Sequence, residues 1–74
     1  MALPTEIQSL VEQAFPGSEV TVEDLTGTGD HFQVIVLSNA FKGKTLIEQH
    51  QMVYGALESL KGEIHALTIK TRPL

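Results

Sequence analysis

His31-Phe32-Gln33-Val34-Ile35-Val36-Leu37-Ser38 is the stretch on which the fold turns. Side chains alternate sides along an extended chain. Phe32, Val34 and Val36 therefore share one face, and Ile35 and Leu37 share the other. A strand apolar on both faces belongs in the middle of a sheet, covered at least in part on both sides. Immediately upstream, Thr26-Gly27-Thr28-Gly29-Asp30 is a turn cluster. Before it, Glu19 to Leu25 alternates, with Val20, Val22 and Asp24 pointing one way and Thr21, Glu23 and Leu25 the other. Two such segments joined through a glycine-rich turn make an antiparallel hairpin.

Outward from the hairpin, the spacing predicts a helix on each side. Glu6 to Phe15 carries Ile7, Leu10, Val11 and Ala14 on one helical face. Thr5 is its expected cap, with Gln8 in capping-box spacing, and Pro16-Gly17 ends it. Downstream of the Asn39–Lys44 turn, Thr45 and Glu48 form a second capping box. Leu46, Ile47, His50, Val53, Tyr54, Leu57 and Leu60 follow as one apolar stripe. Lys61 suits the helix C-terminus and Gly62 the position after it. The last segment, Glu63 to Lys70, alternates Ile64, Ala66 and Thr68 with His65, Leu67 and Ile69, and reads as a strand. A strand–helix–strand connection of this length predicts a parallel, right-handed crossover. The expected fold is α+β, in the order α-β-β-α-β. It has a three-stranded mixed sheet with helices packed on it, in one domain spanning residues 1–74.

Composition narrows the function. A chain of 74 residues buries only about 60% of its unfolded surface. It leaves little room for an enclosed small-molecule pocket of roughly 300 Å³ or more, which argues against a self-contained enzyme. No apolar run approaches the ~20 residues of a membrane span. Met1-Ala2-Leu3-Pro4-Thr5-Glu6 does not read as a signal peptide, so a cytoplasmic location is expected. With no cysteine, the chain has no disulfide and cannot supply a thiolate to a metal. Sulfur chemistry at this protein must come from another molecule. The net charge of −4 is divided unevenly. Residues 1–41 hold six acids and no Lys or Arg, whereas Lys42, Lys44, Lys61, Lys70 and Arg72 all lie beyond them. Net acidity disfavours nucleic acid as a partner, since such affinity comes largely from neutralised phosphates.

The parallel crossover has a chemical consequence. His31 opens the second strand and His65 opens the third, so two imidazoles from distant parts of the chain meet at one end of the sheet. Neutral imidazole is a good ligand for borderline metals, and two imidazoles bind one iron in Rieske-type clusters. Each also has a plain structural reading, His31 as an exposed turn residue and His65 as a satisfied strand residue. His50, on the apolar stripe, reads as a hydrogen-bonded helix residue. Gly27-Thr28-Gly29 is too short for a dinucleotide fingerprint. Gly43-Lys44-Thr45 lacks the upstream glycine of a phosphate loop, because position 38 is Ser. No arrangement of Ser9, Ser18, Ser38 or Ser59 suggests a catalytic triad, and no catalytic residue is assigned.

Three runs in order resemble the BolA family: Gly29-Asp30-His31-Phe32-Gln33-Val34; Ser38-Asn39-Ala40-Phe41-Lys42-Gly43-Lys44 leading into Gln49-His50-Gln51-Met52-Val53-Tyr54; and Ile64-His65-Ala66-Leu67. The resemblance implies a fold similar to a class II KH domain. It also implies a non-enzymatic role beside a monothiol glutaredoxin, sharing a glutathione-ligated [2Fe–2S] cluster in iron–sulfur cluster trafficking or iron homeostasis. In that scheme the glutaredoxin cysteine and glutathione provide thiolates, and the BolA-like partner provides a histidine. The matching position is His65. A second family ligand lies before the second strand, and the candidate here is His31, although it directly precedes Phe32. His50 matches a helix histidine read as structural. Many members continue with a Thr-Pro segment and a final helix, which is missing after Thr71-Arg72-Pro73-Leu74. Its loss would leave part of the sheet open to self-association as a homodimer.

The alternative is a KH-like nucleic-acid-binding transcriptional regulator. A KH module clamps nucleic acid with a GXXG loop, and Phe41-Lys42-Gly43-Lys44 offers one glycine. A zinc site on His31 and His65 is a third reading. Two ligands are too few for a closed site, so it would need a dimer.

Overall fold

The computed structural model describes residues 3–27, 29 and 31–74. Met1, Ala2, Thr28 and Asp30, which figure in the N-terminal and glycine-turn readings, lie outside the described residues. The order is α1 (Pro4–Ala14), β1 (Glu19–Asp24), β2 (His31–Leu37), a short 3-10 turn (Asn39–Phe41), α2 (Leu46–Ala56), a second 3-10 turn (Glu58–Leu60) and β3 (Ala66–Arg72). Strand order is β1-β2-β3, with β2 central. The β1–β2 pair is antiparallel and the β2–β3 pair is parallel, as the connection lengths predict.

The even-numbered face of β2 is the core. Phe32, Val34 and Val36 are fully buried there. They meet Ile7 and Val11 from α1 with Phe15 just after it, Val53 from α2 with Leu57 just after it, and Ile69 from β3. Both helices thus lie on one side of the sheet. The other face of β2 is covered only by its neighbouring strands: Gln33, Ile35 and Leu37 are half-buried, while Thr21, Glu23, Thr68 and Lys70 beside them are exposed. The expectation of cover on both faces therefore holds for one face only.

Phe41-Lys42-Gly43-Lys44 is a type II turn. Lys42 has φ −62° and ψ 130°, Gly43 has φ +76°, and the Lys44 N–H donates to the Phe41 carbonyl at 3.1 Å. That turn type needs a positive φ at its third residue, which glycine adopts without steric cost. Phe41 itself points inward, fully buried, with its ring 5.3 Å from that of Phe15.

Four local expectations change. Helix α1 begins at Pro4, not Glu6. Its cap is Leu3, whose N–H donates to the Glu6 carboxylate at 2.9 Å, so Thr5 does not cap it. Pro at the first helical position has no N–H to leave unpaired, which favours the earlier start. The Gln8 side chain instead donates to Glu12. Helix α2 begins at the Thr45–Glu48 capping box as expected, but it turns a different stripe inward. Gln49, Val53, Leu57 and Leu60 are buried, while Leu46, Ile47 and Tyr54 are 60%, 71% and 52% exposed. The cause is Gln49. Its amide nitrogen donates to the Lys44 and Phe41 carbonyls at 3.0 and 3.4 Å, and its oxygen accepts from the Thr71 hydroxyl. One buried amide thus joins the turn, α2 and the end of β3. Gly62 does not close α2 with a left-handed residue, because the chain passes through the Glu58–Leu60 turn first. Strand β3 starts at Ala66, since Glu63 and Ile64 still donate their N–H groups to the Leu60 carbonyl.

Replacing Gln49 by Leu leaves two carbonyls and a hydroxyl without this partner. It should cost about 1–3 kcal/mol, read as a lower denaturant midpoint at unchanged slope. Thr45→Ala should cost about 1 kcal/mol. Hydrogen bonds from the Thr45 backbone N–H and hydroxyl region hold the Glu48 carboxyl below its ordinary range, backbone first. A depressed carboxyl stabilises the fold above its unfolded pKa and loses that contribution as pH falls through its folded pKa. The stability gap between wild type and Glu48→Gln should therefore be present at neutral pH and close on acidification below the ordinary carboxylate range.

Candidate metal-ligand site

The parallel register pairs His31 with Ala66, which sets His65 one residue before the start of β3 beside the first residue of β2. The two imidazole rings lie with centroids 5.1 Å apart and planes inclined by 57°. The convergence expected from topology is present. His31 is half-buried and His65 exposed, so the pair sits at the surface.

Each histidine is delivered by a distinct local structure. His31 follows the β1–β2 turn, which is organised by Asp24. Its carboxylate accepts from the N–H groups of Thr26, Gly27 and Gly29 at 3.3, 2.9 and 3.0 Å. Gly27 and Gly29 have φ of +75° and +78°, which L side chains rarely adopt. The Leu25 N–H donates to the His31 carbonyl at 2.8 Å and closes the hairpin. His65 follows the Glu58–Leu60 turn. Beside it runs a half-open groove of about 370 Å³, lined by Tyr54, Leu57, Glu58, Lys61, Ile64, His65 and Leu67. A concavity of ligand size is therefore present despite the short chain, but it is open and not enclosed. Lys61 on its rim pairs with Glu58 at 3.0 Å. His50 is half-buried on α2.

The spacing of the two rings is compatible with two imidazole ligands on one metal ion. Two rings on one tetrahedral ion, with metal–nitrogen distances of about 2.0–2.1 Å, have centroids about 5 Å apart. The observed spacing matches that. Among the described residues no group of three or more His, Asp or Glu side chains gathers in a metal-holding arrangement. The remaining ligands of any ion held here would have to come from outside those residues. Also among the described residues, no helix is long and apolar enough to cross a membrane.

A family model for "BolA-like protein" matches residues 9–73. The chain belongs to the BolA-like family. It is 40% identical over 67 residues to the acid stress protein IbaG of Escherichia coli K12, covering 88% of this chain and 76% of IbaG. It is 38% identical over 71 residues to protein BOLA2 of Arabidopsis thaliana, covering 95% of this chain and 76% of BOLA2. The structure superposes on BolA1 from Arabidopsis thaliana with a TM-score of 0.83 at 27% identity, covering 95% of this chain and 89% of that one. The ordered runs that carried the resemblance occupy the hairpin exit, the type II turn with α2, and the approach to β3. In this chain these segments bring the two histidine rings together.

Sequence periodicity passes over two residues, Gln49 in the crossover and Asp24 in the turn before His31. Gln49 is polar on a core face, so an apolar pattern passes over it. Alternation gives Asp24 only as a strand residue, although an acid shortly before a Gly-x-Gly turn is a recognisable Asx-type cap. Asp24→Ala should raise amide exchange at Gly27 and Gly29 by tenfold or more, about the 1–2 kcal/mol of local hydrogen bonding removed. Val34 and Ile69 should stay protected. Hydrogen exchange read by NMR checks both halves.

Proposed function

We propose that this BolA-like protein is a non-enzymatic adaptor that binds a monothiol glutaredoxin and helps hold a shared, glutathione-containing [2Fe–2S] cluster through His65, with His31 beside it. The observation that carries this reading is the 5.1 Å approach of two imidazoles on a chain with no cysteine. Such a chain can give nitrogen ligands to a cluster but cannot complete one, which makes a thiolate-bearing partner necessary.

The cluster would supply iron whose charge and potential depend on its ligands, and imidazole in place of thiolate raises that potential. His65 and His31 contribute neutral nitrogens. Coordination therefore competes with protonation, and acidification should weaken the complex. The Asp24 turn leads into His31 and the Glu58–Leu60 turn leads towards His65. The open groove beside His65 leaves room for the atoms of a partner at that ring. The role fits iron–sulfur cluster trafficking or iron homeostasis.

The test is an anaerobic titration of cluster-loaded monothiol glutaredoxin and glutathione with this protein, followed by visible absorption and circular dichroism. Wild type should give a new spectrum that saturates at one-to-one. His65→Ala should lose or alter it, His31→Ala should alter it, and His50→Ala should leave it unchanged. An unchanged spectrum with folded wild type would contradict the proposal and direct attention to nucleic acid.

A further inference from the structure

We infer that the uncovered face of the sheet is a self-association surface, on which a second copy of this chain sits related by a two-fold axis running along β2. The half-buried Ile35 and Leu37 lie along the middle of this face. Exposed Glu19 and Glu23 lie on the β1 side, and exposed Lys70 and Arg72 on the β3 side. The register places Glu19, Leu37 and Arg72 in a single row across the sheet, and Ile35 and Lys70 in the next. Strands stand about 4.8 Å apart, so the backbones at Glu19 and Arg72 of one chain are separated by roughly 10 Å, with Leu37 between them. None of these four charged side chains forms an ion pair among the described residues.

The Glu19–Leu37–Arg72 row is antisymmetric about β2, and the other charges keep to the same sides, Glu23 across from Thr68 and Lys70 across from Thr21. An isologous two-fold contact needs a surface complementary to itself, and this one is. With the axis along β2, β1 of one copy lies over β3 of the other. Glu19 then faces the second copy's Arg72, and symmetry repeats the pair. Leu37 meets Leu37, and Ile35 meets Ile35. With the axis across the strands, β1 would lie over β1, setting acids against acids and bases against bases, which is destabilising. Charge thus selects one of the two ways of stacking the sheets. Packed sheets hold their strands within about 30° of each other, which a slight tilt of the axis from β2 provides. The same division is visible in the chain, where all Lys and Arg lie after residue 41.

Three strands of this length bury on the order of 1,000 Å² in total, the lower end for a specific interface. The dimer is therefore reversible and concentration-dependent, and its rim charges make it sensitive to salt.

The experiment is sedimentation equilibrium of the full chain at low and high salt, with Glu19→Arg, Arg72→Glu and the double variant. All substituted positions are exposed, and circular dichroism confirms that each variant is folded. Wild type should dimerise, more weakly at high salt. Each single variant should weaken dimerisation roughly tenfold or more, about 1.4 kcal/mol. An equimolar mixture of the two single variants should regain wild-type association as a heterodimer, because an acid faces a base at both sites again. The double variant should regain it alone. A wild type that stays monomeric overturns the proposal and leaves the face to another kind of partner. A wild-type dimer that the single variants leave unchanged overturns it in favour of another surface. Single variants that weaken the dimer without recovery on mixing overturn the two-fold along β2.

Discussion

A parallel pair of strands cannot be closed by a tight turn; it needs a crossover long enough to carry the chain back to its starting edge. In this protein that crossover runs from Ser38 through α2 to His65, and the pairing of β2 with β3 that it permits is the constraint behind the rest of the structure. It sets His65 beside His31 and puts Ile69 over the core beside Val34. The crossover is fixed at its far end by a single amide. Gln49 bonds the type II turn that starts the crossover and Thr71 in the strand that ends it. Inside a low-dielectric core a fully satisfied polar group specifies one arrangement, because any other leaves it unpaired.

The parts of this architecture that were legible in the sequence are those fixed by period and connection length. The two-sided apolarity of Phe32 to Leu37 identified the central strand, and the helical stretch between β2 and β3 gave the parallel direction. Those two facts bring His31 and His65 to one end of the sheet, and side-chain direction, which spacing does not fix, decides whether the rings meet. The inward face of α2 was not legible. Leu46, Ile47 and Tyr54 offer more apolar surface than Gln49, and only the carbonyls of Phe41 and Lys44, eight and five residues earlier in the type II turn, explain why Gln49 is the buried one. The start of α1 was misplaced for a related reason: Pro4 and the Glu6 carboxylate outcompete a Thr cap through backbone chemistry that periodicity does not register. The open face of the sheet was also hidden, since half-burial by neighbouring strands and burial under a helix both favour Ile and Leu.

At the site, chemistry and composition lead to the same division of labour. The chain has two imidazoles at one surface edge and no sulfur donor. On the proposed reading, two nitrogen donors without a thiolate suit a centre shared between molecules, whereas a closed site would hold its metal alone. Membership of the BolA-like family supplies the frame for that reading, and the hairpin and crossover supply its geometry. The approaches to the two rings differ: a carboxylate-bound glycine turn leads into His31, and the exit from a 3-10 turn leads towards His65.

The central claim is that His65 of this chain is bonded to iron in the complex with a monothiol glutaredoxin. The most direct measurement is pulsed electron paramagnetic resonance of the reduced cluster, with ¹⁵N-histidine incorporated into this protein alone. A strongly coupled ¹⁵N from a directly bound imidazole, absent in His65→Ala, is the predicted result. A spectrum with no such coupling, in a complex that has formed and retains its cluster, would contradict it.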